Sequence, residues 1–230
     1  MAFKAKFDTR VTRSTLQDGV YTFIREALMS GEFVPGTRLT AREIAERTGT
    51  SVMPVREAFR RLMSEGALEP LSTGATRVPV FSSERIAEIM DIRLIVEGFA
   101  ARRAASRITD EELRELVAAN DQMVIAMRRR DPKIEARANE HFHFSIYRAA
   151  GSEELMRIIE HLWLKFGPPL LKVMEEGGDE GESRIRRTAK HHAAIIAALR
   201  QRDPERAAAA LQADLTDTSK FYDKLKRAKN

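Results

Sequence analysis

The side chains best suited to contact a nucleic acid lie together in residues 51–62, SVMPVREAFRRL. A serine opens this segment, and Arg56 and Arg60 follow four residues apart, which places both on one side of a helix. A hydroxyl at a helix start can bind a phosphate, and an arginine one turn further can give two hydrogen bonds to guanine. We therefore predict that Ser51 contacts a phosphate, Arg56 a base and Arg60 the DNA backbone. Alone, these arginines could equally form a solvated charged helix face. The choice between DNA binding and a solvated face therefore depends on the elements around them.

Two short helices must position this segment. Thr40 precedes Glu43 by three residues, a capping-box pattern that predicts a helix ending at Thr48-Gly49. Ser51 can cap a second helix, from about residue 53 to residue 64. Two short helices joined by a tight, glycine-containing turn are typical of a helix-turn-helix.

An amphipathic helix precedes this pair, and a hairpin follows it. Apolar residues recur at three- and four-residue steps between Ser14 and Gly31, which predicts one apolar helix face. Short apolar stretches at 67–71 and 77–80 flank a small polar turn, as in a β-hairpin. A hairpin attached to a helix-turn-helix is a wing.

The first domain is therefore predicted to be a winged helix-turn-helix over residues 14–80. We expect residues 1–13, with four basic side chains, to form a flexible arm. Arg38 and Arg42 lie before and within the first helix of the pair and could clamp the opposite side of a DNA groove.

The rest of the chain, residues 81–230, has a purely helical pattern, so the fold class is mainly α, with a C-terminal six-helix all-α bundle. Asp, Ser and Pro stand where helices begin, and Gly where they end. The predicted helices lie near 83–106, 110–129, 132–149, 153–175, 183–201 and 204–226. Pro168-Pro169 should kink or interrupt the fourth of them, and the aromatic residues Trp163 and Phe166 beside them are predicted to be core.

Composition limits the function classes. The 230 residues are 43% hydrophobic and 32% charged, with a net charge of +5 that permits nucleic-acid binding without requiring it. The absence of cysteine excludes disulfides, thiolate metal sites and cysteine nucleophiles. Since no run of eighteen apolar residues occurs, we expect no membrane span and a soluble, cytoplasmic protein.

Residues 14–80 resemble the winged helix of the GntR family of bacterial regulators. The matching residues are 35–39 (PGTRL), 43–45 (EIA), 49–51 (GTS), 54–58 (PVREA), Arg60, Leu62 and 65–66 (EG). The resemblance implies DNA contacts from Val52, Met53 and Pro54 at the start of the recognition helix, and from Gly74 or Arg77 of the wing in or beside the minor groove. Valine at 52 replaces a common family arginine, so the operator is expected to depart from the family's usual one.

Residues 82–226 resemble the helical C-terminal domain of FadR-type GntR regulators, and six helices suggest the VanR-like branch. Many members bind organic acids, and many hold a divalent metal between an acidic residue and three histidines. Matching that site by residue gives Asn139, His143, His192 and Asp214, an altered set in which the last histidine is replaced by aspartate.

Two imidazoles and a carboxylate suit zinc, nickel, iron or manganese, with the amide of Asn139 as a weak fourth ligand. Alternatively, His143 and His192 are polar pocket residues that hold the effector directly. Arg93 could bind an effector carboxylate through its guanidinium, or instead pair with Glu97 four residues later. Arg102 and Arg103 are expected to form ordinary ion pairs.

These features predict a transcriptional regulator, not an enzyme. A homodimer would present two recognition helices to a palindromic operator on double-stranded DNA, and a small organic acid would release it as a repressor. Two other readings remain open: a metal-dependent enzyme built on the bundle, which would leave the winged helix unexplained, and an architectural or protein-interaction module. No general base at a diagnostic spacing accompanies the histidines.

Overall fold

The computed structural model describes residues 14–72, 74–176 and 181–227, so the predicted arm of residues 1–13 lies outside it. The N-terminal part is a winged helix-turn-helix, as predicted. Its elements are α1 (Ser14–Met29), β1 (Arg38–Leu39), α2 (Ala41–Thr48), α3 (Val52–Ser64), β2 (Glu69–Pro70) and β3 (Thr76–Arg77).

The C-terminal part is the predicted bundle of six helices. They are α4 (Ser83–Ala105), α5 (Asp110–Arg129), α6 (Pro132–Ala149), α7 (Glu153–Glu176), α8 (Gly181–Arg200) and α9 (Pro204–Arg227). The long helix α4 lies against α9, α6 and α7, and α5 lies against α6 and α8. No helix among the described residues combines the length and the apolar content needed to cross a membrane.

Local capping explains why the helices begin where predicted. The Thr40 hydroxyl accepts a hydrogen bond from the Glu43 amide, and the Glu43 carboxylate accepts one from the Thr40 backbone amide, so the predicted capping box is present. Thr109 forms a second capping box at the start of α5. Ser51 occupies the N-cap of α3, but the expected side-chain cap is wrong, because its hydroxyl makes no capping hydrogen bond.

The sheet differs from the prediction in extent. Each wing strand has only two paired residues, and β3 lies between β2 and a strand that was not predicted, β1. Arg38 pairs with Arg77, and Leu39 pairs with Thr76. The sheet therefore ties the wing to the segment just before α2.

Helix α7 runs through Pro168-Pro169 without a break, so the predicted interruption is wrong, and the alternative, a kink, stays a prediction. Trp163 and Phe166, the aromatic residues before them, are fully buried, as expected of core residues. The same helix packs against α1, and one continuous apolar core joins the winged helix to the bundle. The two parts therefore meet along α7.

Candidate functional site

The N-terminal end of α3 presents a polar, unblocked surface. Ser51 and Arg56 are exposed. Within the ranges that the structure describes, Arg56 makes no hydrogen bond or ion pair, so its guanidinium is available to an external acceptor. Met53 is 64% exposed beside them.

Two other arginines predicted to contact DNA are engaged in surface ion pairs. Arg42 pairs with Glu46 at 3.1 Å, and Arg60 pairs with Glu57 at 2.8 Å. Exposed pairs of this kind contribute only about 0–1 kcal/mol, so phosphates can replace the carboxylates at little cost.

In the wing, the Nε atom of Arg77 donates to Glu69 at 2.8 Å. Gly74 lies at the exposed tip with φ +77°, a conformation that favours glycine. Arg38 lies on β1 with an exposed side chain, and Val52 is half-buried. Pro54 is buried in the domain core, so its side chain positions α3 instead of facing outward with the other predicted contacts.

A second site lies inside the bundle, where α6, α8 and α9 bring three predicted ligands together. His143, His192 and Asp214 are all buried, and one possible ligand atom from each lies within 4.8 Å of the others. The Nε2 atom of His143 is 3.4 Å from Asp214 Oδ2, and that of His192 is 3.8 Å from Asp214 Oδ1. Asn139, the fourth predicted ligand, is buried one turn before His143 on α6.

The neighbours of His192 hold its ring in place, and one of its two ring nitrogens has no hydrogen-bond partner among the described residues. Its Nδ1 atom is 3.1 Å from Asn120 Oδ1 on α5, and its ring stacks on Phe142 with centroids 3.8 Å apart. Its Nε2 atom is buried and has no hydrogen-bond partner in the part of the chain that the structure describes. Leaving a buried polar nitrogen without a partner costs free energy, which a bound ligand or ion would offset.

The pKa shifts of His192 and Asp214 favour the binding of a cation. Burial lowers the pKa of His192 to about 3, so the imidazole is neutral at physiological pH. Burial acts to raise the pKa of Asp214, but the hydrogen bond from His143 and the nearby imidazoles outweigh it, and the net pKa lies below the ordinary value. Neutral imidazoles and an ionised carboxylate are the forms that bind metals.

These donors fit a divalent metal. Two imidazoles and one carboxylate are a common set for zinc, iron, nickel or manganese, and the bare Nε2 atom of His192 supplies an unsatisfied ligand atom aimed at the carboxylate. His141 and His191 were excluded from the predicted set, and they are not members of this cluster.

Arg93 adopts the second of its two predicted roles. Its guanidinium is buried and binds both carboxylate oxygens of Glu97, at 2.6 and 3.3 Å. It also lies 4.7 Å from the Trp163 ring centroid and 4.3 Å from that of Phe166. An effector carboxylate would have to displace Glu97 to reach it. Arg102 pairs with Glu205, as expected of a surface arginine.

Glu97, Tyr147 and Asn120 connect these groups, and sequence reasoning missed the last two. Glu97 accepts hydrogen bonds from Tyr147 and from the Trp163 indole, the latter at 3.1 Å. The Tyr147 hydroxyl also lies 3.2 Å from His143 Nδ1. Tyr147 could have been noticed as the residue one helical turn after His143. Asn120 had no signal, because its partner His192 lies far along the chain.

The winged helix and the buried polar site together define a DNA-binding protein with a separate helical ligand domain. Residues 16–78 match the family described as bacterial regulatory proteins, gntR family, and residues 88–217 match the FCD domain. The chain belongs to the GntR family of transcriptional regulators and carries an FCD domain, as the sequence resemblance implied.

Relatives of known name support this assignment over most of the chain. The HTH-type transcriptional regulator McbR of Escherichia coli K12 is 30% identical over 79% of this chain and 81% of its own length. The "Probable D-xylose utilization operon transcriptional repressor" of Paenarthrobacter nicotinovorans is 32% identical over 88% of this chain and 86% of its own.

A solved structure has the same fold throughout. The E. coli McbR/YncC structure superposes with a TM-score of 0.84 and 27% sequence identity, covering 92% of this chain and 98% of that one. The mainly α architecture is therefore confirmed, and the protein is a DNA-binding transcriptional regulator.

Proposed function

We propose that this protein is a cytoplasmic repressor that binds a palindromic operator as a homodimer and is released by a small organic acid held at a divalent metal in the bundle. The observation that carries the ligand half of the proposal is the convergence of His143, His192 and Asp214 around a bare, buried imidazole nitrogen. We assign repression, not activation, because one relative is named as a probable repressor.

DNA recognition is assigned to α3 and the wing. Arg56, exposed and unpaired in the described chain, would reach a base edge, while Ser51 at the N-cap would bind a phosphate. Arg38, Arg42 and Arg60 would bind backbone phosphates. Met53 and Val52 can contact a thymine methyl group but cannot donate hydrogen bonds, so base preference at their positions should rest on apolar contact.

Dimerisation is assigned to the outer face of α4. Ile92, Ile95 and Phe99 lie on one side of this helix and are 41%, 71% and 51% exposed. A second copy covering this stripe would fix the spacing of two recognition helices, which a two-fold operator requires. The stripe belongs to the helix that carries Arg93 and Glu97, so the dimer contact and the ligand site share an element.

In the ligand site, His143, His192 and Asp214 would hold the metal, with Asn139 adding an amide oxygen. The metal would supply the positive charge to which an organic acid binds. The chain's own contribution is to exclude water, since all three ligand residues are buried, and to keep the His192 imidazole neutral. Because the relatives are named as transcriptional regulators, the site is proposed to bind its ligand without turning it over.

Ligand binding would act through the packing of α7 on α1. If the acid binds one arrangement of the bundle more tightly than the other, it shifts the population between spacings that fit the operator and spacings that do not.

One experiment tests both halves. Untagged protein, purified without chelator, is analysed for metal and used to select binding sites from random double-stranded DNA. We expect a stoichiometric divalent metal and a two-fold symmetric site, and Arg56→Ala should weaken binding to that site about 10- to 100-fold. Arg114→Ala, an exposed arginine of α5, is the matched control. Unchanged binding by the Arg56→Ala variant would contradict the assigned recognition helix.

A further inference from the structure

The hydrogen bond to Asn120 decides which nitrogen of His192 carries the ring proton. The Asn120 Oδ1 atom can only accept, so His192 Nδ1, 3.1 Å away, must donate. A neutral imidazole has one proton, and Nε2 is therefore left with its lone pair. That lone pair belongs to the nitrogen that has no hydrogen-bond partner among the described residues and lies 3.8 Å from Asp214 Oδ1.

The Tyr147 hydroxyl holds the His143 ring in a similar way. Its single proton is donated to Glu97, so towards His143 Nδ1, at 3.2 Å, its oxygen can only accept. His143 Nδ1 therefore donates to Tyr147, and Nε2, the nitrogen available to a metal, lies 3.4 Å from Asp214 Oδ2. Tyr147 and Asn120 lie on different helices, α6 and α5.

The result is a cluster in which the Nε2 atoms of both rings lie next to one carboxylate. A cation among these three groups would be bound by both nitrogens and by the carboxylate, and the residues that orient the rings would favour its binding. The buried Arg93 holds the Glu97 carboxylate in place through two hydrogen bonds, and Glu97 in turn orients Tyr147.

We infer that Asn120 and Tyr147 are positioning residues, which hold the Nε2 atoms of His192 and His143 towards Asp214, and that the Arg93–Glu97 pair supports this arrangement by orienting Tyr147. This inference rests on the proposed metal site. It assigns the buried Arg93 a role in ordering the ligands instead of contacting the effector.

The first test uses metal-free protein. Long-range ¹H–¹⁵N NMR spectra of the five histidines report the ring nitrogen that carries the proton. We expect the Nδ1-protonated form for His143 and His192. Tyr147→Phe should release His143 alone, and Asn120→Leu should release His192 alone. Tyr21→Phe, which removes the hydroxyl bonded to Glu65 in the winged helix, is the matched control. Rings that carry no proton on Nδ1 in the wild type would overturn the inference.

The second test is zinc affinity, measured by chelator competition. Tyr147→Phe and Asn120→Leu should each weaken zinc binding about 10- to 100-fold, while Asn120→Asp, which keeps the acceptor, should restore it. Affinities within twofold of wild type in both variants would overturn the positioning role while the metal site stands, provided that His143→Ala abolishes binding. Failure of the wild type to bind zinc, nickel, iron or manganese would overturn both.

Discussion

Gly167 lies in direct backbone contact with Met29, because a Cβ atom on Gly167 would stand 2.5 Å from the Met29 carbonyl oxygen and closer still to that of Leu28. The glycine is in α7, and the two carbonyls are at the end of α1. A real Cβ atom is essentially never found that close to a backbone oxygen. The bundle and the winged helix therefore meet at a point where only a hydrogen side chain fits.

We predict that Gly167→Ala destabilises the protein and loosens this contact. Alanine favours a helix by about 0.5–1 kcal/mol over glycine, but overpacking against backbone costs about 1–3 kcal/mol, so the clash outweighs the propensity. Guanidinium unfolding should give a lower free energy of unfolding, and operator affinity should change because the position of the DNA-binding domain changes.

Gly19→Ala is the matched control for that variant. Gly19 lies inside α1, and a Cβ atom there would meet nothing within 4 Å. Gly19→Ala should therefore raise the free energy of unfolding by the difference in helix propensity alone, about 0.5–1 kcal/mol. If the Gly167→Ala variant behaved in the same way, the proposed close contact would be contradicted.

The buried Arg93–Glu97 pair should be far more sensitive to substitution than the exposed Arg102–Glu205 pair. Arg93→Met leaves the Glu97 charge buried without its counter-ion, which typically costs about 3–5 kcal/mol. Arg102→Met removes a pair with both partners exposed, worth about 0–1 kcal/mol. Chemical denaturation measures both. Adding Glu97→Gln to the Arg93→Met variant should recover part of the loss, and equal effects of Arg93→Met and Arg102→Met would refute the burial argument.

A cleft of about 550 Å³ lies along the seam between α1 and the bundle and contains an unusual carboxyl group. Burial and the facing Glu26 of α1 raise the pKa of Glu140 to about 7. Arg25 of α1, and Arg137 and Arg148 of α6, act in the opposite direction and do not cancel the shift. Arg25 itself is paired with Glu160 of α7 at 2.6 Å.

This shift predicts that stability falls as pH rises through the range from about 4.5 to about 7. The folded protein holds the Glu140 proton more tightly than the unfolded chain, so the contribution is complete below the unfolded pKa and is lost as pH rises through the folded one. Glu140→Gln should flatten this slope and stabilise the protein at pH 8 relative to wild type, by on the order of 1–3 kcal/mol. The measurement is denaturant unfolding from pH 4 to pH 8.

The control for the pH profile is Glu115→Gln, at an exposed carboxyl of α5. It should leave the slope as in wild type. If the Glu140→Gln protein kept the full dependence of unfolding free energy on pH, Glu140 would not be the group that causes it.

The helices were predictable because their signals are local. Capping residues such as Thr40 and Thr109, and the proline that opens α6, act within one turn of the helix they begin. Strand β1 was missed because its two residues are ordered by pairing with β3, which lies far along the chain. The continuity of α7 through Pro168 was missed because tertiary packing against α1 overrides the local cost of proline.

The site was only partly predictable for a related reason. Family resemblance supplied His143, His192 and Asp214, and the structure brings them together. Asn120 reaches His192 across 72 positions from another helix, and no spacing in the sequence links them. The sequence left two partners open for Arg93, an effector carboxylate or Glu97. Deciding between them required knowing that both side chains are buried, which the four-residue spacing does not report.

The last prediction concerns the stripe of Ile92, Ile95 and Phe99 on α4. If a second copy covers it, Ile95→Glu places a charge inside the dimer contact, and the protein should become a monomer in sedimentation or light-scattering measurements. Operator affinity should then fall at least 10-fold, since one recognition helix reads only half of a two-fold site. Ile134→Glu is the matched control, because Ile134 is an isoleucine of α6 with 50% exposure. It should leave the dimer intact. A dimer that survives Ile95→Glu but dissociates with Ile134→Glu would move the interface from α4 to the start of α6.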